Sequence, residues 1–147
     1  RGAAAAVREA LADAGLGPAD IDHINAHATG TPAGDAAELA AFDASLGAAA
    51  RTIPISATKS STGHLLGAPG VVEAIIASLS MRDRTLPPTL NLETCEFDGW
   101  DIVSGQAREL TGTASGPGSS LTVDTVLSTS FGFGGHNGAL VLRRPRP

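Results

Sequence analysis

The 147-residue sequence is short of aromatic and sulfur-containing side chains. It has no tyrosine, one tryptophan, four phenylalanines, one methionine and one cysteine. A single cysteine excludes an internal disulfide and indicates a reducing compartment such as the cytoplasm. Because large rings are scarce, the core must be built from small aliphatic side chains and close backbone contacts, so we expect tightly packed helices.

Basic residues and long apolar runs are also scarce. Ten Lys and Arg against 15 Asp and Glu give a formal net charge of −5, which argues against a nucleic-acid partner. No run reaches the ~18 apolar residues of a membrane helix, and no signal peptide is visible. With 42% apolar and 17% charged residues, the chain has the composition of one globular domain.

Hydrophobic periodicity and the positions of glycine and proline predict alternating helices and strands. The predicted helices cover residues 2–14, about 35–45 and 69–83, and the predicted strands cover residues 21–26, 53–56, 122–130 and 138–143. Residues 86–91 must be extended because Pro87 and Pro88 forbid a helix. This order of elements predicts an α/β fold.

Several local predictions follow from spacing. Asp35 and Glu38 resemble a capping box at the start of the second helix. An apolar stripe predicts that the third helix has one buried face, and Glu73 lies outside this stripe. The stripe consists of Val71, Val72, Ile75, Ile76 and Leu79. The composition of residues 92–120 predicts an exposed excursion from the fold, with weak strands near Ile102 and Val103. Residues 131–137 are predicted to form a glycine turn.

Two histidines follow the ends of predicted strands, and we expect the chemistry there. His27 begins the turn HATGTPAGD, and His64 ends TKSSTGH, five positions after Lys59. Loops at strand ends are where a rigid scaffold presents reactive groups. Imidazole is suited to proton transfer or hydrogen-bond donation near neutral pH.

Four separated motifs resemble the C-terminal part of a β-ketoacyl-acyl-carrier-protein synthase of the type II elongating kind. They are HATGTPAGD, TKSSTGH, LPPTLN and SFGFGGHN, in this order. The resemblance implies a thiolase-like αβαβα layered fold, in which this chain supplies most of the second half as a mixed sheet with helices on its faces. Residues 1–147 would then be one C-terminal ketosynthase domain, incomplete at its N-terminus, with the nucleophilic cysteine in the missing first half.

The resemblance implies decarboxylative Claisen condensation of an acyl thioester with malonyl carrier protein in fatty acid biosynthesis. His27 and His64 would donate hydrogen bonds to the developing enolate oxygen. Lys59, paired with Glu73, would position the site, because an unpaired buried ammonium is costly.

The glycine turn would have a different role. The Phe133 amide would contribute to an oxyanion hole and its ring would act as a gate, with Gly132 and Gly134 providing backbone freedom. Phe131 is expected to be a core anchor. Thr29 and Thr31, in the turn after His27, complete the supporting residues implied by the resemblance.

The same resemblance defines partners and absences. We expect acyl carrier protein bearing acyl and malonyl groups, the N-terminal half of the enzyme, and a homodimer at full length, with no cofactor, no metal, no nucleic acid and no membrane. The fragment alone is expected to be inactive. Cys95 is expected to be incidental, since Glu93 and Glu96 disfavour its thiolate.

Four alternatives remain open. The chain could belong to a polyketide ketosynthase, to a non-condensing partner subunit that sets chain length, or to a decarboxylase with an altered nucleophile; the histidine pair argues against the partner subunit. A zinc site could use His23, His27, His64 and His136, but no metal-ligand spacing such as HExxH is present. His23 is expected to be a structural or a surface histidine, and His136 is expected to act at most through its neighbours.

Overall fold

A four-stranded mixed sheet forms the centre of the molecule. The computed structural model describes residues 1–110 and 122–145. The strands, in spatial order β2-β1-β5-β6, are β1 (His23–Asn25), β2 (Ile55–Ser56), β5 (Thr125–Gly132) and β6 (His136–Arg143). β1 pairs in parallel with β2 and β5, and β6 pairs antiparallel to β5. The predicted α/β fold with a mixed sheet is confirmed.

Helices cover both faces of this sheet. They are α1 (Gly2–Ala14), α2 (Pro32–Leu46), the short α3 (Lys59–Thr62) and α4 (Pro69–Asp83). A second, two-stranded sheet pairs β3 (Thr85–Leu86) with β4 (Arg108–Glu109). The predicted bounds of α1 and α4 agree with the structure. As Pro54 predicts, β2 lies at an edge of the main sheet.

The first face of the sheet is apolar and packs against α1 and α2. Its buried cluster includes Val7 and Leu11 of α1, Phe42 and Leu46 of α2, and Ile24 and Leu127 of the sheet. α1 ends at Gly15, whose φ of +65° is the left-handed geometry of a helix C-terminus. This cluster anchors the two parallel strands that precede the site.

The second face packs against α4 and is partly polar. Ala77 and Met81 of α4 and Val126 of β5 belong to a second buried apolar cluster. Alternation along β1 turns His23 and Asn25 away from Ile24, toward this face. Both polar residues are fully buried, so their hydrogen bonds must be made inside the protein.

The predicted capping box at the start of α2 is wrong. α2 begins at Pro32, and Thr31 at its N-cap makes no side-chain capping bond. Proline suits the first helical position because its missing N–H would have no helical partner there. The helix therefore starts before Asp35, which lies in the first turn, and Glu38 is buried instead of capping.

The predicted orientation of α4 is also wrong. Val71, Ile75 and Leu79 are 68%, 54% and 40% exposed, while Glu73 and Ala77 are buried against the sheet. The helix is thus apolar on its uncovered side as well, and periodicity cannot tell which side the rest of the chain covers.

The glycine turn is shorter than predicted. The β5–β6 ladder continues to the pair Gly132–His136, and only the 3₁₀ turn Phe133–Gly135 leaves it. Gly134 and Gly135 have φ values of +78° and +81°, which favour glycine. The turn is compact because these two residues reverse the chain.

The connection between α4 and β5 agrees in part with its prediction. Ile102 forms an isolated bridge to Ile55, and Thr89 of the proline segment bridges to Ser104. Residues 111–120 of the predicted excursion lie outside the described residues. Within residues 1–110 and 122–145, no helix is long and apolar enough to cross a membrane.

His23 is a buried structural histidine, as expected. Its Nε2 lies 2.8 Å from Ser56 Oγ, and that hydroxyl donates to the Pro87 carbonyl at 2.6 Å. Because the hydroxyl hydrogen is used, His23 Nε2 must donate to Ser56. Burial, aided by the charge of Arg108, lowers the pKa of His23 from 6.5 to about 3.

Acidification should therefore destabilise the fold through His23. The unfolded imidazole takes up a proton below about pH 6.5, whereas the folded one stays neutral until about pH 3, so the free energy of unfolding should fall as pH drops through this window. Urea unfolding of the complete protein between pH 7 and pH 4 measures the slope. His23→Gln should flatten it, and His136→Gln, at an exposed position, serves as the control; an unchanged slope in His23→Gln would contradict the assignment.

Candidate active site

His27 and His64 meet over a common cavity at the carboxyl ends of β1 and β2. Their ring centroids are 5.7 Å apart and the ring planes are nearly perpendicular, at 89°. The cavity has a volume of about 460 Å³, and its lining includes His27, His64, Ser130, Phe131, Gly132 and His136. The two predicted histidines are thus brought together.

The ring of His27 is neutral at pH 7. Burial, followed by the charges of Lys59 and His64, lowers the pKa of His27 from 6.5 to about 4. A neutral imidazole has one N–H donor and one acceptor nitrogen. His27 can therefore offer a hydrogen bond to a ligand atom without itself carrying charge.

The backbone orients the ring of His64. The N–H of Leu66 donates to His64 Nδ1 at 3.3 Å. A neutral ring whose Nδ1 accepts has its proton on Nε2. His64 Nε2 is therefore a donor, and the ring lines the same cavity as His27.

A buried carboxylate holds the loop that contains His27, and it was missed by sequence reasoning. Glu38 accepts hydrogen bonds from the backbone N–H groups of His27 at 2.9 Å and Ala28 at 2.8 Å, and from Thr129 Oγ1 at 2.7 Å. Burial raises the pKa of Glu38, and these three donors oppose the rise. A signal existed: Glu38 lies at i, i+4, i+8 spacing with Phe42 and Leu46, on the core face of α2.

Lys59 and Glu73 form a buried ion pair beneath the histidines. Lys59 Nζ donates to Glu73 Oε1, and the two side chains are 4% and 1% exposed. Burial raises the pKa of Glu73, and the hydrogen bond from Lys59 opposes that effect. The expected counter-ion is present, and either partner alone would be an uncompensated buried charge.

The glycine turn contributes differently from its prediction. Phe131 is not a core anchor: its ring lies 5.7 Å from that of His27, and it lines the cavity. Gly132 also lines the cavity. Phe133 is fully exposed, and with Gly134 it lies in the turn beyond the ladder; their predicted roles stay predictions.

His136 is closer to the site than expected. It lines the cavity together with His27 and His64, and its ring packs where a side chain on Gly134 would point. Sequence reasoning assigned it an indirect role because glycine turns give no signal of where the next side chain points. The sequence did not show that β6 begins directly after a tight turn, and the alternation of side chains along that strand decides which way His136 points.

Other predicted residues lie apart from the cavity. Thr29 and Thr31 are exposed, with hydroxyls 3.4 Å from each other, and their supporting role stays a prediction. Cys95 is exposed and free. Among residues 1–110 and 122–145, no group of three or more His, Cys, Asp or Glu could hold a metal ion, and His23 is bound to Ser56 instead of joining the other histidines.

Comparison with known proteins gives a consistent family. The family model "Beta-ketoacyl synthase, C-terminal domain" matches residues 1–93. A 3-oxoacyl-[acyl-carrier-protein] synthase 2 of Coxiella burnetii is 45% identical over 142 residues, which cover 94% of this chain and 31% of the relative. The protein of the same name from Synechocystis is 43% identical over 148 residues, covering 98% of this chain and 32% of the relative.

Solved structures give the same fold. The ishigamide ketosynthase/chain length factor superposes with a TM-score of 0.83 at 34% identity, over 98% of this chain and 33% of that one. A type II polyketide ketosynthase in complex with its acyl-carrier protein, AntDE:AntF, superposes with a TM-score of 0.85 at 30% identity, over 97% and 33%. This chain spans about a third of the length of these proteins, and it belongs to the β-ketoacyl synthase family, whose C-terminal domain it represents.

Proposed function

We propose that this chain provides the histidine half of a condensing site that lengthens an acyl thioester by decarboxylation of malonyl-acyl-carrier protein. The observation that supports this most directly is the pair of imidazoles, 5.7 Å apart, over one cavity. Since the chain spans about a third of its relatives, the activity of the whole enzyme, its substrates and its partners belong to this proposal.

The proposed reaction requires hydrogen-bond donors that stabilise a negatively charged oxygen. It requires no general base, because loss of carbon dioxide generates the enolate. The malonyl thioester loses carbon dioxide, and the electron pair of the broken C–C bond forms an enolate whose negative charge lies on the thioester oxygen. N–H groups of neutral His27 and of His64 donate to that oxygen. The enolate carbon then attacks the acyl thioester on a cysteine supplied by the rest of the enzyme, and the cysteine thiolate leaves.

Electrostatics supports this role for the two rings. The low pKa of His27, about 4, keeps it a neutral donor throughout the physiological range. The contact from Leu66 N–H leaves His64 with its proton on Nε2. Donors that are oriented before reaction need no reorganisation as charge develops. Phe133 is proposed to gate the site from its exposed turn, as the family resemblance implies.

A fatty acid substrate is favoured over a polyketide one. The curated relatives at 45% and 43% identity are 3-oxoacyl-[acyl-carrier-protein] synthases 2, whereas the type II polyketide ketosynthase of AntDE:AntF is 30% identical. A non-condensing subunit that sets chain length is disfavoured by the two converging histidines. Acyl carrier protein is the proposed partner, in line with the complex formed by AntDE:AntF.

The uncovered side of α4 supports an association with the rest of the enzyme. Val71, Ile75 and Leu79 line a groove together with Leu140 of β6. A helix with apolar side chains on its exposed side as well as against its own sheet is typical of an interior position. We propose that the N-terminal half of the synthase covers this groove, and that the complete enzyme forms a homodimer.

Replacing either histidine should abolish condensation in the complete synthase. His27→Ala or His64→Ala removes one oxyanion donor, and the rate of malonyl decarboxylation should fall about 10²- to 10³-fold. Release of labelled carbon dioxide from malonyl-acyl-carrier protein measures it. Thr52→Ala, at an exposed position outside the histidine cavity, is the control for truncation of a polar side chain. Normal decarboxylation in both histidine variants would refute the proposed function.

Lys59→Ala should slow condensation and shift its pH dependence. The charge of Lys59 lowers the pKa of His27, so without it the imidazole should become protonated at higher pH, and the acid limb of the rate profile should move upward. Arg82→Ala, which removes an exposed cation at the end of α4, is the matched control. A full rate with an unmoved acid limb would remove Lys59 from the site.

Ile75→Asp should distinguish a covered α4 from an exposed one. If the groove is buried in the complete synthase, an uncompensated charge there should cost about 3–5 kcal/mol of unfolding free energy. Ala40→Asp, on the exposed side of α2, controls for the new charge. Urea unfolding of both variants measures their free energies of unfolding. Equal values for Ile75→Asp and Ala40→Asp would mean that nothing covers this side of α4.

A further inference from the structure

Asn25 is a fully buried amide at the last position of β1. Its neighbours in the sheet are Ser56 of β2 and Ser128 of β5. Its side chain faces away from the apolar cluster that contains Ile24. A buried amide of this kind must find its partners within the protein, so the identity of those partners shows what it connects.

The amide connects three separate elements. Asn25 Oδ1 accepts a hydrogen bond from Thr58 Oγ1 at 3.0 Å. Its Nδ2 makes a longer contact, 3.5 Å, to the backbone carbonyl of Glu73 in α4. β1, the residue before α3, and α4 are therefore joined by one side chain, and each of them leads into the site.

Each connected element leads to a residue of the site. β1 continues directly into the loop of His27. Thr58 precedes Lys59, and its carbonyl accepts from the N–H groups of Ser61 at 3.0 Å and Thr62 at 3.1 Å, which makes it the start of the turn that ends before His64. Glu73 is the counter-ion of Lys59.

A hydrocarbon could not replace this amide without consequence. Thr58 is 2% exposed, so loss of the Asn25 oxygen would leave its hydroxyl buried without that acceptor. The turn before His64 would then lose this hydrogen bond to β1, and the bonds that remain would hold it less firmly. Since donors to an oxyanion act only at short range, a small displacement of one ring relative to the other would weaken their joint contact with a ligand.

We propose that Asn25 is a positioning residue that sets the separation of the two imidazoles through its hydrogen bond with Thr58. This inference rests on the proposed function, because it assigns the amide a role in decarboxylation and condensation. It makes a specific demand: loss of the bond should impair the steps that need both histidines and spare acyl loading of the cysteine, which does not use the pair.

The test uses the complete synthase with Asn25→Ala, Thr58→Val and the double variant. Malonyl decarboxylation and condensation should fall about 10²-fold in each single variant. The double variant should fall no further than the more affected single one, because both changes remove the same bond. Acyl loading of the cysteine, followed by mass spectrometry, should stay at the parent rate. Thr58→Ser, which keeps the hydroxyl, should retain parent activity.

Thr52→Val is the matched control. It removes a hydroxyl that bonds to the Ala49 carbonyl at 3.1 Å, at the end of a 3₁₀ turn away from the histidines, and it should leave all three rates unchanged. If Asn25→Ala does not fold, the Thr58→Val and Thr58→Ser pair provides the test. Full condensation in Thr58→Val, or loading that falls in parallel with condensation, would overturn the inference.

Different results would contradict the proposed function and the role of Asn25. A parent synthase that cannot condense, or a His27→Ala variant that still does, would remove the proposed function together with this inference. A parent that condenses, a His27→Ala variant that does not, and Asn25→Ala and Thr58→Val variants with parent rates would remove the role of Asn25 alone.

Discussion

The parallel pairing of β1 with β2 is the interaction on which the site depends. The register places Ile24 opposite Ile55 and Asn25 opposite Ser56, so the two strands end at the same edge of the sheet. Each then passes into a loop or turn that leads to one histidine. A parallel sheet brings side chains that are distant in sequence to a common edge, and here it brings two imidazoles to one cavity.

Buried polar groups also help to position the two histidines. Glu38 holds the backbone of the loop after β1, Asn25 joins that strand to the start of α3, and Lys59 pairs with Glu73 beneath both rings. Such groups need partners once they are removed from water. Their partners are backbone atoms and side chains of neighbouring elements, so satisfying them also orients the histidines.

The sequence predicted the fold class and the histidine pair because both depend on local patterns and on recognisable motifs. It could not predict which side of α4 is buried, because Val71 and Ala77 are both apolar and burial depends on what lies opposite each of them. Glu38 was misread as a cap, since its partners are loop amides and Thr129, 91 residues away in the sequence. Phe131 and His136 were misplaced because the reach of the β5–β6 ladder is a property of the folded pair of strands.

The exposed apolar side of α4 has a consequence for biosynthesis. In a polypeptide with this domain at its C-terminal end, as the family model is described, this helix would leave the ribosome after the proposed N-terminal half, and domains fold largely in the order in which they emerge. A surface formed earlier in the same polypeptide would already be waiting for Val71, Ile75 and Leu79. The order of translation would thus shorten the time during which these side chains are exposed to water, chaperones and neighbouring nascent chains.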